Sequence, residues 1–437
     1  MLAAVLLALA QPAMPPAAGQ GAQELRIEAS AAQLLALSRT ALARGDIKLA
    51  IDVLETLLTD PDLRIRNEAR FRLAMIARAR KDWTAAGAYL RALLDEEPDA
   101  QRARLELARV QSEAGDLDNA RRTLREAQAG ALPADVARLV ERFSNALRDR
   151  KPFGLSVQLA LAPDTNINRA TRSDTLGTVL GDFEIEDAAK SSSGIGVHVS
   201  SETYARVRVS DGVSLLARGG VTGDLYAHKD YNDITLLASA GPEFALLKGR
   251  ANLLAGAQHR WYGGEPYARI YDLQLRWQRP LDRVSQLRTG LGVGRYNYRQ
   301  SILQDATGYS AFATYERALT PRTGVNLTVS FARQDARDPA ASSTNGQVSG
   351  TVWRDLGRAT IFGSATYRRL EADERLALYR VRRREDFLQM SVGASLRSLS
   401  LGRWAPQLRV LYERNWSPIE IYDYARWRGE FGFVRAF

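Results

Sequence analysis

The sequence holds no cysteine, three histidines and four methionines in 437 residues. Without cysteine there are no disulfides and no thiolate metal sites, which is compatible with an oxidising compartment but does not demonstrate one. His198, His228 and His259 stand at no metal-ligand spacing. A phosphate-cradling glycine loop, a Walker pattern and a nucleophile elbow are also missing. Only His228, near Asp230 and Asp233 in an expected outer loop, offers a rim-type catalytic group. The expectation is therefore a chain that is not an enzyme and holds no cofactor. No run of eighteen apolar residues occurs, which excludes a helical membrane anchor but leaves strands open. Aromatics are scarce at first: of 35, only four precede Lys151.

What is present changes character at that point. From Phe153 onward, apolar and polar residues alternate with a period of two. Val325, Leu327, Val329 and Phe331 alternate with Asn326, Thr328, Ser330 and Ala332. Tyr271, Leu273, Leu275 and Trp277 alternate with Asp272, Gln274, Arg276 and Gln278, and Leu388 to Arg397 repeats the pattern. About fourteen such segments are each roughly long enough for the 9–11 tilted residues that cross a bilayer. Short turns alternate with longer polar loops. The turns are expected at 210–212, 247–250, 280–283, 320–324, 355–358 and 401–403. The loops are expected at 164–193, 224–233, 263–268, 299–308, 333–346, 371–385 and 416–423. That layout is a closed antiparallel transmembrane β-barrel with both ends on the periplasmic side.

The polar face predicts a charged lumen, lined by Asp272, Gln274, Arg276, Gln278, Gln407, Arg409, Glu413, Arg426 and Arg428. The final segment places Trp427, Gly429, Phe431, Phe433 and Phe437 on one face. Aromatics at alternate positions up to the end resemble the signal read by barrel-assembly machinery. Trp261, Tyr262, Trp277, Tyr296, Trp353, Tyr367, Tyr412, Trp416 and Trp427 fall near segment ends, as membrane-border girdles would. Gly290, Gly292 and Gly294 share one face of a strand and suit a crowded or bent wall. Net charge is +10, carried mostly by arginines spread along the chain and not in one block, so nucleic acid is not the expected partner.

Residues 1–20 read as a signal peptide: Leu2–Ala10 is a short apolar run followed by Pro16-Ala17-Ala18, and 21–29 is a linker. From 30 to 148 the period becomes helical and the sequence repeats. Gly45-Asp46, Ala50, Leu54 and Pro61 align with Lys81-Asp82, Ala86, Leu93 and Pro98, then with Gly115-Asp116, Ala120, Leu124 and Pro133. The offset, about 34–37 residues, matches tetratricopeptide repeats, and about three make a minimal stack. Residues 149–152 link this α-solenoid to the barrel, 153–437.

A tetratricopeptide-like region feeding a fourteen-stranded barrel, with Pro163-Asp164-Thr165-Asn166-Ile167-Asn168-Arg169 after the first strand, resembles the surface lipoprotein assembly modifier (Slam) family. The resemblance implies a Gram-negative outer-membrane factor with its repeats in the periplasm, delivering lipoproteins or secreted scavenging proteins to the surface. The implied partners are a client protein, periplasmic chaperones, barrel-assembly machinery and outer-membrane lipid, around a monomeric barrel. From the residues alone, Asp164, Thr165, Asn166 and Asn168 are turn formers first and contacts for a passing chain second. Two alternatives stay open: a repeat-bearing exopolysaccharide export porin, which should have a lumen of one electrostatic sign, and a passive diffusion porin.

Overall fold

One turn, used three times, organises the helical region. The computed structural model describes residues 30–128, 153–356, 359–396, 399 and 404–436. Its helices are α1 (Ala31–Ala43), α2 (Ile47–Thr56), α3 (Leu63–Ala79), α4 (Trp83–Glu96), α5 (Gln101–Ala114) and α6 (Leu117–Gln128). At the end of α1, α3 and α5, Gly45, Lys81 and Gly115 take φ of 80°, 61° and 88°. The next N–H reaches back five residues: Asp46 to Ala41 O, Asp82 to Ala77 O and Asp116 to Gln111 O, at 2.9, 2.9 and 2.7 Å. Each Asp carboxylate then caps the following helix, accepting from the N–H of Leu49, Ala85 or Asn119 at 3.0, 3.0 and 3.3 Å. This is a left-handed Schellman ending followed by an N-cap. Lys81 holds that conformation without glycine's freedom, at a cost of about 1 kcal/mol.

Ala50, Ala86 and Ala120 are fully buried, so the helices approach closely where the repeat predicts. The apolar residue four positions later is Leu54, Leu90 and Leu124, all fully buried. The expected Leu93 is also buried, yet the repeat's equivalent is Leu90, one turn earlier. Two clusters form the core, one around Leu34, Val53, Leu54 and Leu73, the other around Ala86, Leu90, Leu107 and Val110. The chain divides into compact units between Val110 and Gln111. Thus α6 goes with the strands, and Arg122 lies 5.4 Å from the ring centroid of Trp353. Pro133 and the 149–152 linker lie outside the described residues, as do residues 1–20.

The second unit holds sixteen described strands. They are β1 (Phe153–Asp164), β2 (Thr175–Thr178), β3 (Gly181–Glu184), β4 (Gly194–Ser210), β5 (Val213–Tyr226), β6 (Asp233–Leu246), β7 (Gly249–Tyr262) and β8 (Glu265–Pro280). Then follow β9 (Ser285–Tyr298), β10 (Ala306–Thr320), β11 (Thr323–Ala336), β12 (Ser343–Asp355), β13 (Ala359–Ala372), β14 (Arg384–Leu396), β15 (Ala405–Trp416) and β16 (Tyr424–Ala436). All except the β2–β3 hairpin form one closed antiparallel barrel of 14 strands, β1 pairing with both β4 and β16. Closure leaves no strand edge to template aggregation.

The period of two sorts the faces. Leu327, Val329 and Phe331 are each about half exposed on the outer wall, whereas Thr314 and Thr328, paired across β10 and β11, meet inside at 2.9 Å. Gly290, Gly292 and Gly294 face inward beside larger neighbours. An added Cβ on Gly290 would lie 2.3 Å from the Phe312 ring, so glycine makes room for that ring against the wall. Among the expected girdle residues, Tyr262, Tyr296 and Trp353 fall on the inward face of their strands. Tyr296 lies over Gly308 and Trp353 over Gly324, where the missing side chains leave room.

Most long connections fall at the barrel end opposite Phe153 and Ala436, with one correction. The loop expected over 263–268 is a two-residue turn, Gly263-Gly264, at φ of 62° and 84°, with Tyr262 opposite Glu265. Successive positive φ is the geometry a tight hairpin between right-twisted strands requires. The turn expected at Leu401-Gly402-Arg403 lies outside the described residues. No described helix is long and apolar enough to cross a membrane, which says nothing of the strands.

Candidate functional site at the barrel seam

The barrel closes where β1 meets β16, and there the inner wall carries its densest set of buried charges. β1 delivers Asp164 to the lumen face at its outer end, because Leu159 and Leu161, half exposed, hold the opposite face outward. β16 delivers Arg426, Arg428 and Glu430 by the same alternation, with Trp427, Phe431 and Phe433 outside. Register sets Asp164 opposite Arg428. The Arg426 guanidinium grips Asp164 through Nε, at 2.8 and 3.0 Å from its two oxygens, and through Nη2. Arg426 Nη1 also reaches Glu413 Oε2 on β15 at 3.3 Å. Glu413 accepts from Gln389 Nε2 at 2.8 Å and from Arg169 Nε at 3.3 Å.

A second arm crosses β1 and β4. Arg428 donates to both carboxylate oxygens of Asp224 on β5, at 2.9 and 2.5 Å. His198 Nδ1 lies 2.8 Å from the same carboxylate. The span is possible because Gly196 and Ala162, paired beside Tyr226, put almost no side chain in the way. Glu430 completes the set, 3.2 Å from Arg428 Nε and 3.6 Å from Arg409 Nη1. Alternating signs in a poorly hydrated wall make this a fixed lattice of charge-assisted bonds.

The segment after β1 is tied into the same lattice. Asn166 is fully buried. Its Nδ2 donates to Ala170 O and Ala425 O at 2.8 and 3.1 Å, and its Oδ1 accepts from Ala170 N at 3.0 Å. Thr165 N donates to Trp427 O at 3.0 Å, and Trp427 N donates to Thr165 Oγ1 at 2.9 Å. Ile167 packs under Gly194, and Asn168 brackets the loop's return, donating to Lys190 O at 2.8 Å and accepting from Ser192 N at 3.0 Å. Farther out, Lys190 lies 2.7 Å from Asp174 and 2.9 Å from Asp187. Its hydrogen bond holds the Asp174 carboxyl below the usual range, and the two carboxylates push the Lys190 ammonium up.

Outside, Pro163 has no N–H to donate, and pairing with β16 lapses between Leu161 and Asp164 while pairing with β4 continues. A mostly apolar notch of about 490 Å³ opens on the membrane side there, lined by Pro163, Ile195, Val410, Trp427, Gly429 and Phe431.

Of the residues read from sequence, Asp164, Asn166, Arg169, Arg409, Glu413, Arg426 and Arg428 come together at this seam. Asp272, Arg276 and Gln278 do not; they line β8 on the far wall. There Arg276 Nε donates to Gln274 Oε1 at 3.0 Å, Gln274 bonds Asp272, and Gln278 donates to Gln286 at 2.9 Å. Phe437 lies outside the described residues. Sequence reading missed His198, Asp224, Tyr226 and Gln389; alternation along the last strand sets Glu430 on the same face as Arg426 and Arg428. The signal was available: alternation puts His198 and Asp224 on the lumen face, and closure of β1 on β16 brings them near Arg428.

Residues 154–437 match the family model described as "Surface lipoprotein assembly modifier". The chain belongs to the surface lipoprotein assembly modifier family. A tetratricopeptide-repeat model matches residues 77–143. Two curated proteins are similar to this family member. "Surface lipoprotein assembly modifier 1" of Neisseria meningitidis serogroup B is 26% identical over 44% of this chain and 39% of its own length. "Hemophilin secretion modulator" of Acinetobacter baumannii is 22% identical over 55% of this chain and 52% of its own. The matches thus span about half or less of those relatives. Among solved structures, OmpT of Vibrio cholerae is matched over 66% of this chain and 99% of its own, at 9% identity and a TM-score of 0.39. As a closed barrel of the surface lipoprotein assembly modifier family, the protein resides in the outer membrane.

Proposed function

We propose that this chain is a non-enzymatic translocation factor that delivers a client protein, a lipoprotein or a soluble scavenger, from periplasm to cell surface. The observation that carries the reading is the joining of a family-matched barrel to helical repeats, with the loop after β1 locked to the seam by Asp164, Asn166 and Arg426. Helical repeats offer a surface for client capture. The lumen also weighs against a sugar-polymer conduit. Glu243 takes Arg206 and Arg250 at 2.8 and 3.0 Å, and Arg288 lies 3.7 Å from Glu316, so both signs line it and not one. A passive porin gives the repeats no task.

The test is deletion of 30–148 in cells that make the client, followed by protease shaving. The barrel should still reach the membrane and show heat-modifiable gel mobility, while the client loses surface exposure. Undiminished surface delivery by the truncated protein would overturn the reading.

A further inference from the structure

Near the outer end of the barrel's membrane-facing wall, arginine is the rule, and so are its carboxylate partners. Arg333 on β11 meets Asp335 and Asp373 at 2.5 and 2.6 Å. Arg369 on β13 meets Glu371 at 2.8 Å and Asp386 at 3.7 Å. Arg414 on β15 meets Asp423 at 2.6 Å. Three strands depart from this. Across β7, β8 and β9, cross-strand register sets His259 opposite Arg269 and Arg269 opposite Asn297. One step below, Arg295 stands opposite Tyr271. Arg299 follows the end of β9, and its charge, with that of Arg269, bears on the His259 ring.

Among the described residues, no carboxylate pairs with Arg269, Arg295 or Arg299; the single side-chain bond is from Arg295 to the Thr307 hydroxyl at 3.3 Å. His259 Nε2 and Arg269 Nε are shielded from solvent with no hydrogen-bond partner. Trp261 stacks on His259 at 4.0 Å between ring centroids. Directly below lie the exposed apolar residues Leu273, Leu291 and Val293, which place the cluster at the top of the hydrocarbon band.

Cations facing lipid at the edge of the hydrocarbon are stable only beside counter-charge or water. Because the protein withholds the carboxylates it supplies elsewhere on the same wall, the anion comes from the membrane. Three guanidiniums on neighbouring positions of β8 and β9 exceed the single charge of a phosphodiester head. We propose that His259, Arg269, Arg295 and Arg299 bind a multiply phosphorylated glycolipid of the outer leaflet. The arginines take its phosphates, Trp261 and Tyr271 sit at the sugar–acyl border, and the chains lie over Leu273, Leu291 and Val293.

The experiment is native mass spectrometry of the purified full chain in neutral detergent with diphosphoryl lipid A, dephosphorylated lipid A, phosphatidylglycerol or inorganic phosphate added. Wild type should retain diphosphoryl lipid A in preference to the others. The triple variant R269Q/R295Q/R299Q should weaken that binding about a hundredfold, and Arg369→Gln, which removes a paired arginine, should leave it unchanged. Heat-modifiable mobility confirms that each variant is folded. Equal binding of the dephosphorylated lipid or phosphatidylglycerol would overturn the proposal. So would displacement by inorganic phosphate at equal concentration, or full binding by the triple variant.

Discussion

Replacing Arg426 by methionine should be among the most damaging single changes in the barrel. Its side chain is 2% exposed and grips Asp164, at 0%, and Glu413, at 4%. A unit charge pair at about 2.8 Å in an effective dielectric of about 20 amounts to roughly 6 kcal/mol gross, most of it offset by desolvation. Removal of one partner is different, because the surviving carboxylates keep their desolvation cost and lose their compensation. Asp164 would retain only the Tyr226 hydroxyl at 3.3 Å and the Asn166 N–H at 2.9 Å. Glu413 would retain Gln389 and the half-exposed Arg169. The expected loss is about 3–5 kcal/mol, read as the urea midpoint of the detergent-folded protein followed by tryptophan fluorescence and gel mobility. Removing both charges, in D164N/R426M, should recover at least half of that loss. A single-variant loss under about 1 kcal/mol, or a double variant as weak as the sum of its parts, would refute the reasoning.

Leu327→Arg puts a charge on the lipid face near mid-height and should cost about 2–4 kcal/mol of barrel stability, measured by the same titration; no change would contradict the outward assignment. Gly432→Val should prevent closure, since an added Cβ would lie 1.9 Å from Leu159 O on β1; the check is loss of the heat-modifiable species. In the repeats, Arg70 and then Arg66 hold the Glu96 carboxyl below its ordinary range. That stabilisation is complete above the unfolded pKa and fades as pH falls below about 4. Being partly solvated, the pair contributes under about 1 kcal/mol. Protection factors in α3 and α4, taken relative to the intrinsic exchange rate at each pH, should therefore fall slightly between pH 7 and 3.5 in wild type and less in Glu96→Gln.

The barrel was legible because a two-residue period is written into each strand alone: Leu327, Val329 and Phe331 need no distant partner to declare their face. The repeats were legible for a similar reason, and the misphased Leu93 arose because Leu90 and Leu93 both lie on the apolar side of α4. Gly263-Gly264 was hidden by the polar residues of early β8, which read as loop. Asp164 was read as a turn former and does accept the Asn166 N–H, but its main partner, Arg426, is 262 positions away. Pairings of that range follow from closure and cannot be seen in a local window. The arginines at the outer ends of β8 and β9 carry no signal in a local window, because their lack of carboxylates shows only when neighbouring strands are in register.

The union of β1 with β16 imposes a schedule on assembly. Asp164 and Asp224 lie early in the barrel sequence, whereas Arg426 and Arg428 arrive among its final residues. Until the last strand docks, Asp164 has no cation and Asp224 only the His198 imidazole, so both must remain wetted and the growing sheet cannot hide its first strand prematurely. Neutralisation and sealing of the cylinder then occur in one terminal event, and a chain lacking its last dozen residues would stall as an open, hydrated sheet.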